Sequence, residues 1–225
     1  MTDRSHPAAL AAPAILAFVS QKGGAGKTTL ALNVAAHAVQ AGRRVAVLDC
    51  DPNCSAVVWA DLRSGAAPEV RYCPYIRLDR EIERARARGS DLILIDTPMG
   101  ADGGPVAGAR HADLVVVPCR QSLFDLAAIR ASLDVAALAG TPAVAVLNAV
   151  PTRAAHWESE ARDLLARQGV EMLPAAIRNR VAFVRSTRVG QGVVESDPRG
   201  AAANEIRAVG DALLAWPVRA LRAAA

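Results

Sequence analysis

Short aliphatic runs recur along the chain, each bounded by turn residues and separated by amphipathic segments of helix length. That alternation predicts strands and helices in turn, the pattern of a mostly parallel sheet. Strands are expected over 14–20, 44–50, 91–96, 113–118 and 142–147, with weaker candidates over 70–75 and 170–173. Helices are expected over 27–41, 54–63, 78–88, 123–138, 155–168, 179–188 and 201–215. Runs such as Leu92-Ile93-Leu94-Ile95 and Leu114-Val115-Val116-Val117 carry no polar alternation, so both faces of the sheet need helical cover. The expected fold is α/β, one doubly wound, mostly parallel sheet with helices on both faces. No internal repeat and no long polar linker divides the 225 residues. The expected organisation is therefore a flexible extension over 1–13 followed by one domain over 14–225.

Composition narrows the function classes. Aromatic residues are 4% of the chain, too few for stacking platforms that bind single-stranded nucleic acid. The net charge of +4 permits an anionic partner without requiring one. Cys50, Cys54, Cys73 and Cys119 show no paired spacing and mostly sit in apolar surroundings, which fits free thiols in a reducing, cytoplasmic compartment. The apolar stretch over 7–19 resembles a signal peptide only superficially, because Asp3 and two prolines interrupt the pattern. No spacing of the four histidines suggests a metal site.

Candidate chemistry begins directly after the first strand. Gln21-Lys22-Gly23-Gly24-Ala25-Gly26-Lys27-Thr28-Thr29 leads into the first helix, where backbone N–H groups and a helix N-terminus can cradle a polyphosphate. Lys27 would reach the β- and γ-phosphates, Thr28 would ligate Mg²⁺, and Thr29 would add a hydroxyl near the α-phosphate. Lys22 and Lys27 are the only lysines among 26 basic residues, so compact ammonium groups are concentrated where phosphates would bind. Val45-Ala46-Val47-Leu48-Asp49-Cys50-Asp51-Pro52 ends a strand in two carboxylates on one side, and Leu92 to Ile95 delivers Asp96 in the same way. Carboxylates in those places can hold a metal and orient an attacking water.

Lys-Gly-Gly-Ala-Gly-Lys-Thr-Thr resembles the deviant Walker A motif of the ParA/MinD family of P-loop ATPases. Asp49 to Ser55 is similar to that family's Asp-x-Asp-Pro-Gln-x-Ser signature, with Asn53 in place of Gln. Ile95-Asp96-Thr97-Pro98-Met99-Gly100 resembles its Walker B motif, with Met99 replacing a second proline. The resemblance implies ATP and Mg²⁺ as ligands, an ATP-dependent homodimer, and slow, switch-like hydrolysis. It further implies that Lys22 reaches the phosphates bound by the other subunit, that Asp51 orients water and that Asp49 and Asp96 support the metal. Val144 to Asn148 is similar to the strand whose terminal asparagine reads the adenine edge, and 112–125 to a nucleotide- and dimer-facing region.

The family's ATP switch holds different surfaces. Arg178, Arg180, Arg185 and Arg188 lie in a stretch without acidic residues, and Arg199 follows Asp197-Pro198. Such arginines neutralise phosphates without reading bases. Arg180 to Phe183 and Glu195 to Ile206 resemble the C-terminal pattern of small partition ATPases, which implies non-specific double-stranded DNA binding, a nucleoid-associated location and a ParB-like or cargo-adaptor partner. Ala201 stands where many members carry Lys. Two alternatives are a MinD-like membrane switch and a metabolic P-loop enzyme. The first needs a C-terminal amphipathic helix, but Pro217 interrupts the tail Leu213 to Arg222, and no substrate motif supports the second. An electron donor of the nitrogenase iron-protein type would need cluster-ligating cysteines beyond Cys119.

Overall fold

The computed structural model describes residues 13–100, 103–120, 123–153 and 155–216. Its strands are β1 (Ala14–Phe18), β2 (Val45–Asp49), β3 (Glu69–Tyr72), β4 (Leu92–Asp96), β5 (Leu114–Cys119) and β6 (Ala143–Leu147). Its helices are α1 (Lys27–Gln40), α2 (Ser55–Asp61), α3 (Leu78–Ala87), α4 (Gly104–His111), α5 (Leu123–Ala139), α6 (Ala155–Arg167), α7 (Val181–Thr187), α8 (Val193–Ser196) and α9 (Ala201–Leu214), with a 3₁₀ turn at Tyr75–Arg77. The strands form one sheet in the order β3-β2-β4-β1-β5-β6, every described pair parallel. This is the doubly wound fold that the sequence predicts.

Strand periodicity divides the core. Leu16, Phe18, Leu92, Leu94 and Val116 point into a layer filled by α1, α2, α8 and α9, whereas Ile15, Ala17, Ile93, Ile95 and Val115 meet α3, α4, α5 and α6. Central strands buried on both faces explain the runs without alternation. Polar ties bind α1 to the C-terminal helices: Val193 N–H donates to Asn33 Oδ1 at 2.8 Å, Gln40 Nε2 donates to the Val194 carbonyl at 3.0 Å, and His37 Nε2 lies 2.7 Å from Asp211.

Several elements differ from expectation, and α8 over Val193–Ser196 was not expected at all. The segment over 170–173 contributes a single bridge between Met172 and Ala145 beside β6, not a strand. α4 was hidden in a glycine-rich stretch of low helix propensity, where Pro105 nonetheless suits the first helical turn. The helix expected over 179–188 starts at Val181, because Arg180 is extended and precedes it as its cap residue.

The junction between α2 and α7 depends on Gly190. Its φ is +62°, and an added Cβ would lie 2.6–2.8 Å from backbone atoms of Arg63, Leu62 and Trp59. Arg63 spans the same junction, donating to the Gly190 carbonyl at 2.7 Å and to both Glu195 carboxylate oxygens, at 2.9 and 2.7 Å. Gly190→Ala is expected to lower unfolding free energy by about 1–3 kcal/mol in denaturant titration, since both backbone conformation and space oppose the methyl group.

Candidate functional site

Register places the site. Parallel pairing sets Phe18 of β1 beside Asp96 of β4, and Asp96 beside Asp49 of β2. The loop after β1 and two carboxylates therefore leave the sheet at one level, at the carboxyl ends of the strands. Thr97, fully buried, donates its hydroxyl to the Phe18 carbonyl at 2.7 Å and ties the two loop origins together.

The loop closes onto α1 through Gly26, whose φ of +91° and position as cap residue begin the helix at Lys27. A Cβ on Gly26 would lie 2.3 Å from Asn148 Nδ2, so a side chain is excluded by conformation and by contact. Asn148, just past β6, donates to the Ala25 carbonyl at 2.7 Å and accepts from Ala149 N–H at 2.9 Å. It thus braces the loop while lining the adjacent cleft. The first amides of α1 have no intrahelical acceptor and carry the positive end of the helix dipole.

Lys27 is buried at the root of this loop, its ammonium 3.5 Å from the Ser20 carbonyl. Burial pushes its pKa below the usual value, while the charges of Asp96 and Asp51 pull it back up. Lys22 is half-buried, with its N–H 3.3 Å from Ser20 Oγ. Gly23 and Gly24 are exposed, and Met99 reaches back over Gly23, its sulfur 3.1 Å from where a Cβ would stand.

The carboxylates take distinct parts. Asp96 is fully buried and neither of its oxygens has a hydrogen-bond partner. Burial pushes its pKa up to about 7, against the opposing pull of the nearby Thr28 hydroxyl and the Lys27 charge. An unpartnered buried carboxylate beside a threonine hydroxyl fits Mg²⁺, which accepts few protein ligands and completes its shell with water and phosphate oxygens. Among the described residues no group of three or more His, Cys, Asp or Glu converges on a metal position. Asp49, expected to support the metal, is otherwise engaged. One oxygen accepts from Ala56 and Val57 N–H at 2.9 and 3.2 Å, the other from Asp51 N–H at 3.2 Å. It anchors the start of α2, and burial raises its pKa despite those donors. Asp51 is half-buried and closes a turn by accepting from the Asn53 backbone and side chain, both at 2.9 Å.

A cleft of about 240 Å³ opens beside the loop, lined by Gly24, Gly26 and Thr29, by Asn148 against that loop, and by Arg178, Asn179, Arg180, Phe183 and Ile206. The five arginines assigned to DNA accordingly separate. Arg178 pairs with Glu158 and Arg180 with Glu205, and both line this cleft. Arg185, Arg188 and Arg199 are exposed. The side chains of 121–125, expected near nucleotide and dimer interface, lie outside the described residues.

The chain matches the CobQ/CobB/MinD/ParA nucleotide binding domain over residues 16–193. It belongs to that family. It is 32% identical over 191 residues to the maintenance of carboxysome distribution protein A of Gloeobacter kilaueensis, covering 81% of this chain and 85% of the relative. It is 24% identical to the chromosome-partitioning ATPase Soj of Thermus thermophilus, covering 89% and 95%. Its fold is similar to that of the septum site-determining protein MinD of Pyrococcus horikoshii, solved with Mg-ADP, at a TM-score of 0.71 and 17% identity over 89% and 96% of the chains.

Several lining residues escaped the sequence reading, among them Arg120, Phe183 and Ile206. Arg120 follows β5 at the same edge of the sheet, a place that the strand-end rule flags. Phe183 and Ile206 look like ordinary core residues, and no local signal marks them.

In the nucleotide-free protein, Asp96 ionises in the unfolded chain near 3.8 but keeps its proton to about 7 when folded. Unfolding between those values releases a proton, so this group lowers stability as pH rises through that window. Asp96→Asn removes the titration. Its stability relative to the native sequence is expected to rise by on the order of 3 kcal/mol from pH 4 to pH 7 in paired denaturation series.

Proposed function

We propose that this ParA-type protein is a positioning ATPase: its Mg-ATP-bound dimer holds DNA non-specifically and lets go after hydrolysis. The observation that carries the reading is the convergence of the Gly26–Lys27 helix start, the unpartnered Asp96 carboxylate and the cleft reaching Asn148 at one sheet edge. In this reading the loop amides and Lys27 bind the phosphates, while Thr28 and Asp96 hold Mg²⁺. When bound, the cation would neutralise charge developing between the β- and γ-phosphates. Asp51 stands at the mouth of the site and would orient the attacking water; Asp49 would keep the Asp51 turn and α2 in register with it. Lys22 would cross to the second subunit's phosphates, making the bound nucleotides part of the dimer interface.

The DNA-facing groups in this proposal are Arg185, Arg188 and Arg199, with Arg178 and Arg180 contributing through the cleft wall instead. Near the end of the described residues, Leu213 is fully buried and Leu214 and Trp216 pack on the core, so these three side chains are not offered to a membrane surface. Among the described residues no helix is long and apolar enough to cross a membrane. The cargo and a hydrolysis-stimulating partner would be of the kinds that the named relatives maintain or partition, a protein assembly or a chromosome.

The test is binding to a non-specific duplex with Mg-ATP, Mg-ADP or no nucleotide. Binding should require ATP and weaken with salt. Replacing both Arg185 and Arg188 by Glu should cost at least roughly tenfold in affinity at moderate salt, while Asp51→Ala should persist on DNA after ATP is supplied. Equal binding in all nucleotide states, or an unaffected arginine variant, would refute the DNA assignment.

A further inference from the structure

The far wall of the cleft is a loop, and one carboxylate grips two of its residues. Between Ile177 and the start of α7, the chain has little regular structure of its own: Val150 N–H donates to the Ile177 carbonyl and Asn179 N–H donates to the Val150 carbonyl, at 3.0 and 2.8 Å. Glu205, on α9, supplies the remaining hold. One of its oxygens accepts from Arg178 N–H at 3.0 Å, and the other accepts from Arg180 Nε and a terminal guanidinium nitrogen at 3.0 and 2.7 Å. The Glu205 side chain is 17% exposed and that of Arg180 30%, so these contacts are only partly screened by solvent. The next residue, Ile206, is buried and lines the same cleft.

We propose that Glu205 is a positioning residue for the nucleotide: by gripping Arg178 and Arg180 together, it sets the wall that meets the base and ribose. This rests on the cleft being the nucleotide site. A loop residue held by backbone bonds alone could keep its path yet let its side chains swing. Glu205 fixes the path at Arg178 and the guanidinium at Arg180 with one group, so the wall is formed before the ligand arrives and less ordering accompanies binding. Arg178 is steadied on its other side by Glu158 of α6, which also pairs with Arg162. The far wall thus spans α6 and α9, whereas the phosphate end is built by the β1 loop and α1. The two ends of the ligand are held by separate parts of the fold.

That separation provides the test. Binding of ATP and of inorganic tripolyphosphate, each with Mg²⁺, would be measured by calorimetry for the native protein, Glu205→Gln and Glu205→Ala, with ligand-free thermal unfolding as the folding control. Glu205→Ala is expected to weaken ATP by roughly tenfold and leave tripolyphosphate unchanged. Glu205→Gln retains an acceptor for Arg178 N–H and should fall between. Unaltered ATP affinity in both variants, or equal loss for ATP and tripolyphosphate, would overturn the positioning role while leaving the phosphate site intact. Failure of the native protein to bind ATP at all would overturn the nucleotide reading and this inference with it.

Discussion

A carboxylate buried without a hydrogen-bond partner is among the more costly groups a fold can contain, and Asp96 is such a group at the centre of this protein. Its surroundings keep it there. β4 lies between β1 and β2, its aliphatic run buried on both faces, and Thr97 fastens its end to Phe18. With the cation absent, the carboxyl is held near neutrality by burial; a divalent cation would supply the partner that the protein withholds. The cost in the free protein and the affinity for a metal-bound anion are two consequences of the same geometry.

The remainder of the structure brings other groups to that point without crowding it. Asp49 is spent on the amides of α2 and of Asp51. Asn148 reaches from the opposite side of the sheet to the Ala25 carbonyl, linking the β6 end to the loop. α1 starts at the loop and is tied along its length to α8 and α9 by Asn33, Gln40 and His37. α9, tied to α1 in this way, also carries Glu205 and Ile206 to the cleft wall.

Much of this was legible in the chain. Aliphatic runs without alternation identified the buried central strands, and the glycine-lysine loop after the first of them leads into α1 as expected. Legibility failed where tertiary contacts override local pattern. α4 was invisible because glycines obscure helix propensity, and the segment over 170–173 resembles a strand but meets β6 through one bridge only. The arginines from Arg178 to Arg188 form one basic run in sequence; Glu158 and Glu205, distant along the chain, divide it into paired wall residues and exposed ones. Asp49 and Asp96 end similar strands, and only the positions of the α2 amides distinguish the hydrogen-bonded carboxylate from the one without a partner.

The proposed site needs both anion and cation. Calorimetric titration of the native protein with ATP, in Mg²⁺ and again in EDTA, tests it most directly. Saturable one-per-chain binding that weakens by at least roughly tenfold without the cation is the predicted result. Binding of equal strength in both conditions would contradict the role given to Asp96, and no binding in either would contradict the site itself.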